Sequence, residues 1–265
     1  MIKLLIALWK RPEITRIVFE RVKKLPVDPI CIYSEDESKE LCREFGFESY
    51  FFENDPLGKK LNFGVERALE SQWDYMMQIG SDDLVKEELI ESYKPFIERR
   101  SLVFGVGCIY FYDIRTGKTA LHYGGQVFGC GRMIHRAVLD SNILKARFRY
   151  GHTYSGQVVR KRGQVSILPV FVAEKYERKG IGEILETINC KTKLWSDGRN
   201  NGMDFDSEFR LNTIGISVER VDIGKSPFIL DIKTEENLHK IEEYNLIDFD
   251  IMKYFPEING IRRLL

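Results

Sequence analysis

The sequence predicts an α/β fold: a mostly parallel sheet with helices on both faces and an elaborated C-terminal half. Three observations carry this reading. Ile2 to Leu8 is a continuous apolar run, the pattern of a strand buried on both faces. Apolar runs then alternate with segments of helical period along the N-terminal half. Finally, Met76 to Val85 is an apolar run interrupted by two adjacent acids, Asp82 and Asp83. That places carboxylates at a strand end, the edge where open α/β sheets bind ligands.

The elements follow in order. Lys10-Arg11-Pro12 stops the first strand, and Pro12 suits the first turn of a helix whose apolar face is Ile14, Ile17, Val18, Val22 and Leu25. Pro29 to Tyr33 is a second strand, ending at Ser34-Glu35-Asp36. Ser38 is expected to cap a helix through Leu41, Cys42 and Phe45 that stops at Gly46. Phe47 to Phe52 is a short strand. Asn54 to Gly64 leads into a helix with Leu61, Val65, Ala68 and Leu69 inside. Trp73 to Ile79 is the strand that delivers Asp82 and Asp83, and Glu87 to Arg100 is an amphipathic helix.

Leu102 to Tyr112 reads as one long β-prone run, with a turn at Asp113 to Lys118 returning through Thr119 to Tyr123. Gly129-Cys130-Gly131-Arg132 is expected to open a helix from Met133 to Leu139. Gln164 to Ala173 reads as a strand and Glu183 to Asn189 as a helix. A polar loop from Trp195 to Glu208 enters a further helix near Asp206. Ile216 to Val221 and Phe228 to Ile232 are late strands, and Thr234 is expected to cap a last helix through Leu238, Ile241 and Tyr244. There are no internal repeats or clear linkers, so residues 1–265 are read as one domain.

Composition narrows the function classes. The 265 residues carry 40 Lys plus Arg and 40 Asp plus Glu, a formal net charge of zero, which argues against nucleic-acid binding through bulk charge. The five cysteines are scattered without zinc spacing, and most read as small buried residues of a reducing compartment. No apolar run reaches the length of a membrane span, and the expectation is a soluble, cytoplasmic protein. Paired hard oxygens at Asp82 and Asp83 suit Mg²⁺ or Mn²⁺, most of all a metal that also holds phosphates. The same Ser-Asp-Asp residues also make an ordinary solvated turn.

Several of these pieces occur together in an order that resembles the GT-A-fold nucleotide-sugar glycosyltransferases, the family 2-like group. The residues are Arg11-Pro12 after the first strand, Glu35-Asp36 after the second, Leu61-Asn62-x-Gly64-x-x-x-Ala68, and Ile79-Gly80-Ser81-Asp82-Asp83-Leu84. Phe128 to Arg136 and Trp195 to Glu208 are similar to later segments of that family. The resemblance implies transfer of a sugar, of hexosyltransferase type, from a nucleotide-diphosphate donor to an acceptor hydroxyl. Residues 1–110 would be the nucleotide-sugar-binding half. Residues 111–265 would be the acceptor-side half, with a possible insertion at 146–190.

The same resemblance implies residue roles. Asp82, with Asp83, would hold Mn²⁺ or Mg²⁺ on the donor diphosphate. Arg11, Asp36, Lys60, Asn62 and Ser81 would bind the donor. Lys59 and Lys60 equally suit a solvated helix face. Asp206, then Asp204, would be the general base that deprotonates the acceptor hydroxyl in an inverting reaction; acids at a helix start also serve as caps. The acceptor is open: a glycan, a lipid carrier, a protein or a modified nucleic-acid base. One departure stands out. The family's acid turn is commonly Asp-x-Asp, and Gly80 occupies the first Asp position, so metal binding rests chiefly on Asp82. Two other readings remain: a nucleotidyltransferase of related fold, disfavoured by the lack of glycine in Leu8 to Pro12, and a non-catalytic nucleotide- or sugar-binding protein. Val172 to Leu185 also resembles the acyl-CoA loop of GNAT acetyltransferases, but Glu177 replaces that loop's arginine or glutamine.

Overall fold

The computed structural model describes residues 1–123, 127–139, 155–161, 164–170, 194–195, 207–208, 211, 216–235 and 241–261. Strands β1 (Ile2–Ala7), β2 (Asp28–Tyr33), β3 (Glu48–Phe51) and β4 (Tyr75–Gly80) are joined by helices α1 (Pro12–Val22), α2 (Asp36–Phe45) and α3 (Leu57–Ala68). β1 pairs in parallel with both β2 and β4, and β2 with β3. The register Ala7↔Gly80 and Ala7↔Ile32 brings the C-terminal ends of β1, β2 and β4 to one edge.

The apolar run of β1 is buried on both faces, as expected. Leu4 and Ile6 pack with Val18 and Phe19 of α1 and Leu41 of α2; Leu5 points the other way, onto Leu61 and Val65 of α3. Helices therefore cover both faces of the sheet. Each such aliphatic side chain contributes about 1.5–3 kcal/mol through burial. α1 starts at Pro12, and α2 ends at Gly46 with φ 70°, the left-handed C-cap that its glycine permits.

After β4 the chain makes a short turn into β5 (Asp83–Val85) and then α4 (Glu87–Glu98). The single run expected from Leu102 to Tyr112 is two strands, β6 (Val103–Val106) and β7 (Cys108–Asp113). They belong to different sheets. The chain switches at Gly107, whose carbonyl accepts Arg220 Nη2 at 3.0 Å and whose missing Cβ would lie 2.2 Å from the Arg220 guanidinium. β7 and β8 (Thr119–Tyr123) form the expected hairpin.

The helix expected over Met133 to Leu139 is corrected: Met133–His135 is a strand, β9, and only Arg136–Leu139 is helical, α5. β9 pairs antiparallel with both β4 and β6, and this pairing overrides the local preference. β10 (Ser155–Lys161) and β11 (Gln164–Val170) form a separate hairpin. The late strands are shorter than or offset from expectation: β12 (Glu219–Val221), β13 (Ile229–Lys233) and β14 (Leu246–Ile247). Ile241–Glu243 is a single 3₁₀ turn, and α6 is Ile258–Ile261. The expected helices at Glu183 to Asn189 and around Leu238, the acyl-CoA-like stretch beyond Val170, and most of the 146–190 insertion lie outside the described residues.

The main sheet runs β12-β6-β9-β4-β1-β2-β3, and a second runs β14-β8-β7-β13-β5. The second sheet is fed directly from the C-terminal ends of β4 and β6. Its strand β13 pairs antiparallel with β5, with Asp231 opposite Asp83. Among the described residues, no helix is long and apolar enough to cross a membrane.

Candidate active site at the C-terminal edge of the parallel strands

The acid turn is buried, not solvated: Ser81, Asp82 and Asp83 are 2%, 9% and 7% exposed. Only Ser81 and Asp82 lie between strands. Asp83 already belongs to β5, where its Oδ2 accepts the Gly80 N–H at 2.5 Å. The main-chain carbonyl of Asp82 accepts the Ile232 N–H at 2.9 Å, which fixes β13 against the turn.

That pairing adds a residue the sequence reading missed. Carboxylate oxygens of Asp82, Asp83 and Asp231 all lie within 4.8 Å of one another. Asp231 comes from a strand far along the chain, so no local spacing signals it. The only trace is an acid inside the apolar run Phe228 to Ile232.

Among the described residues, two cations face this triad. Arg11 Nη1 donates to Asp82 Oδ2 at 2.5 Å, and its Nη2 to Ser81 Oγ at 3.3 Å. Lys233 Nζ donates to Asp231 Oδ2 at 2.7 Å. Burial, together with the neighbouring Asp231 and Asp82 charges, pushes the Asp83 carboxyl up to about 8. Cys130 hydrogen-bonds to it. Burial also raises Asp231, to about 6, against the opposing pull of Lys233.

The residues fit a divalent cation. The donors are hard carboxylate oxygens, and Asp231 Oδ1 is buried with no hydrogen-bond partner among the described residues.

The other expected site residues divide in two. Arg11, Ser81 and Asp82 meet at the triad. Asp36 is exposed in the first turn of α2, at the same edge of the sheet, where its charge suits the helix N-terminus. Ser38 does not cap that helix. It is the third helical residue, and its Oγ donates to Glu35 Oε1 at 2.6 Å; the same carboxylate oxygen accepts the Lys10 N–H at 2.7 Å. Glu35, the residue preceding the helix, thus ties the loop after β1 to the start of α2.

Lys60 is fully buried, so the solvated-face reading is corrected. Its ammonium donates to the Leu8 carbonyl, to Ser34 Oγ at 2.7 Å and to Asn54 Oδ1 at 3.0 Å. It joins the ends of β1 and β2 from beneath. Desolvation lowers its pKa to about 8. Asn62 clasps the backbone of Trp195: Nδ2 donates to the Trp195 carbonyl at 2.7 Å, and Oδ1 accepts the Trp195 N–H at 3.2 Å. Asn62 therefore anchors the residue that immediately precedes the acidic loop. Asp204 and Asp206 lie outside the described residues. Glu208, the last acid of that stretch, accepts the Val127 N–H at 3.2 Å.

No protein-family model and no curated protein matches the chain. Among solved structures it is similar to S. aureus TarS 1–349 in complex with UDP-GlcNAc, at 10% identity over 89% of this chain and 59% of that one, with a TM-score of 0.47. The same TarS segment with UDP gives 10% identity over 88% and 60%, with a TM-score of 0.46. A 4-diphosphocytidyl-2C-methyl-D-erythritol synthase from Anaerococcus prevotii gives 10% identity over 58% and 78%, with a TM-score of 0.37. The chain spans about three fifths of the length of the TarS 1–349 structures it resembles.

Proposed function

We propose that this protein is a metal-dependent glycosyltransferase that moves a sugar from a nucleoside-diphosphate donor to an acceptor hydroxyl. The observation that carries the reading is the meeting of Asp82, Asp83, Asp231 and Arg11 at the C-terminal edge of β1 and β4. A cage of hard oxygens beside a guanidinium suits a diphosphate held together with its cation. When bound there, Mn²⁺ or Mg²⁺ would offset the charge gathering on the departing diphosphate.

The protein's own groups then have distinct parts. Arg11 and Ser81 would offer donors to phosphate oxygens, and Asp36, exposed at the start of α2 on the same sheet edge, would take the nucleoside. The acceptor oxygen bonds to the anomeric carbon as the bond from that carbon to the diphosphate oxygen breaks. The nucleoside diphosphate leaves with the electron pair. The hydroxyl proton passes to a carboxylate, a role assigned to Asp206 and next to Asp204 on the sequence pattern. Asn62 supports that segment through Trp195.

A screen of nucleotide sugars for slow donor hydrolysis tests the reading. Release of free sugar and nucleoside diphosphate from one donor class, dependent on Mn²⁺ or Mg²⁺, is expected. Release of pyrophosphate or nucleoside monophosphate in place of these products points to nucleotidyl transfer and sinks the proposal.

A further inference from the structure

Asp82, Asp83 and Asp231 bring three carboxyl groups together, and two cations already sit on them: Arg11 on Asp82 and Lys233 on Asp231. We infer that Arg11 is a resident counter-ion of the triad, one that a nucleoside diphosphate draws away, so that metal and donor are taken up together and not singly. The inference rests on the metal-dependent donor site proposed above and concerns the order in which that site fills.

The two cations differ in their freedom to move. Lys233 is 6% exposed, is part of β13 and lies 4.5 Å from the centre of the Phe111 ring. Its ammonium is a fixture of the sheet. Arg11 has a partly exposed side chain and lies in the loop leaving β1. Its backbone is left-handed, with φ 57° and ψ 50°, and Lys10 before it also has φ 57°. Two successive non-glycine residues there are sterically disfavoured.

The guanidinium contacts Asp82 Oδ2 and Ser81 Oγ together. A divalent cation arriving alone must settle on Asp82 beside that positive charge, in a site whose side chains are only slightly exposed to screening water. A diphosphate changes the balance, because its oxygens offer the guanidinium a planar, two-pronged partner. Asp82 is then released to the cation that the diphosphate brings. Metal and nucleotide therefore bind with positive coupling beyond their own attraction.

The test is titration of Mn²⁺ alone, and of Mn²⁺ with UDP or another nucleoside diphosphate, into the full chain, Arg11→Met and Arg11→Gln. Mn²⁺ alone is expected to bind the variants about tenfold tighter than the unchanged protein, the scale of a close charge contact removed. The added gain from nucleotide should shrink in the variants. A residue with only a structural role would weaken metal binding when removed. Arg11→Gln keeps a donor for Ser81 and gives the answer should Arg11→Met fail to fold. If Mn²⁺ binds with nucleotide present but no tighter to the variants alone, the counter-ion role is overturned. If Mn²⁺ binds none of the proteins even with nucleotide, the metal site itself falls.

Discussion

Gly80 and Asp83 are locked together across the start of the acid turn. The Gly80 N–H donates to Asp83 Oδ2 at 2.5 Å, and a Cβ on Gly80 would stand 3.0 Å from that oxygen and 2.8 Å from Asp82 Oδ1. At the position where the resemblance leads one to expect a carboxylate, a side chain would press directly on the carboxylate oxygens of Asp82 and Asp83. The third carboxylate comes instead from Asp231, across the β5–β13 pair. Restoring an Asp-x-Asp pattern by Gly80→Asp should therefore harm the site. The expected cost is about 1–3 kcal/mol, the scale of overpacking a filled interior, with weaker Mn²⁺ binding. Urea denaturation and metal titration of the variant check both; tighter metal binding would refute this account of Gly80.

The acid triad should give the metal-free protein a characteristic pH dependence. Asp83 and Asp231 both have folded pKa values raised above the ordinary carboxyl range, to about 8 and about 6. The folded state therefore holds protons that the unfolded chain gives up. The associated stability is fully present below about pH 4 and is lost as pH rises to about 8 for Asp83 and about 6 for Asp231. Comparing urea midpoints across that window, Asp83→Asn should decline less with pH than the unchanged protein. Parallel curves would show that Asp83 ionises normally in the fold.

Lys60 offers a test of how the crevice edge is held. Its ammonium satisfies the Leu8 carbonyl, Ser34 Oγ and Asn54 Oδ1 in a buried setting. Lys60→Met keeps much of the volume and strands those acceptors, so a loss of about 1–3 kcal/mol is expected. The loop carrying Arg11 follows directly from Leu8, so nucleotide affinity should fall as well. Chemical denaturation and nucleotide titration read the two effects separately.

Asn62 links the two halves of the chain by its paired hydrogen bonds to Trp195. Asn62→Ala should cost about 1–3 kcal/mol, because it leaves a buried backbone N–H and carbonyl unpaired. If the acidic loop supplies the base, the same change should lower kcat for transfer while leaving donor KM nearly unchanged. Steady-state kinetics over donor concentration would show this split, and a rise in donor KM alone would place Asn62 with the donor.

Much of the N-terminal half was legible because its signals are local. The apolar run of β1, Pro12 at the start of α1 and Gly46 at the end of α2 each specify structure through neighbours in sequence. The misreadings lie where partners distant in sequence decide. Leu102 to Tyr112 is uniformly β-prone, yet Arg220 against Gly107 divides it between two sheets. Met133 to His135 follows a glycine-rich turn that suits a helix start, yet it fills the gap between β4 and β6 as a strand. The contact between Arg11 and Asp82 joins two residues that stood out in the sequence by their places after strands. Asp231 and Lys233 did not, because an acid and a base two residues apart in a late strand acquire meaning only when β13 is laid beside β5. Lys60 misled for a related reason: a lysine pair looks solvated until three oxygens around one ammonium are seen.

The most direct test of the central claim is calorimetric titration of nucleoside diphosphates into the protein with and without Mn²⁺, repeated with Asp231→Asn. Asp231 is decisive because only the three-dimensional structure brings it to the acid turn. The account predicts that Mn²⁺ tightens binding of one nucleoside diphosphate by about tenfold or more, and that Asp231→Asn removes most of that gain while leaving metal-free binding in place. Equal affinity with and without Mn²⁺, or an undiminished Mn²⁺ effect in Asp231→Asn, would contradict it.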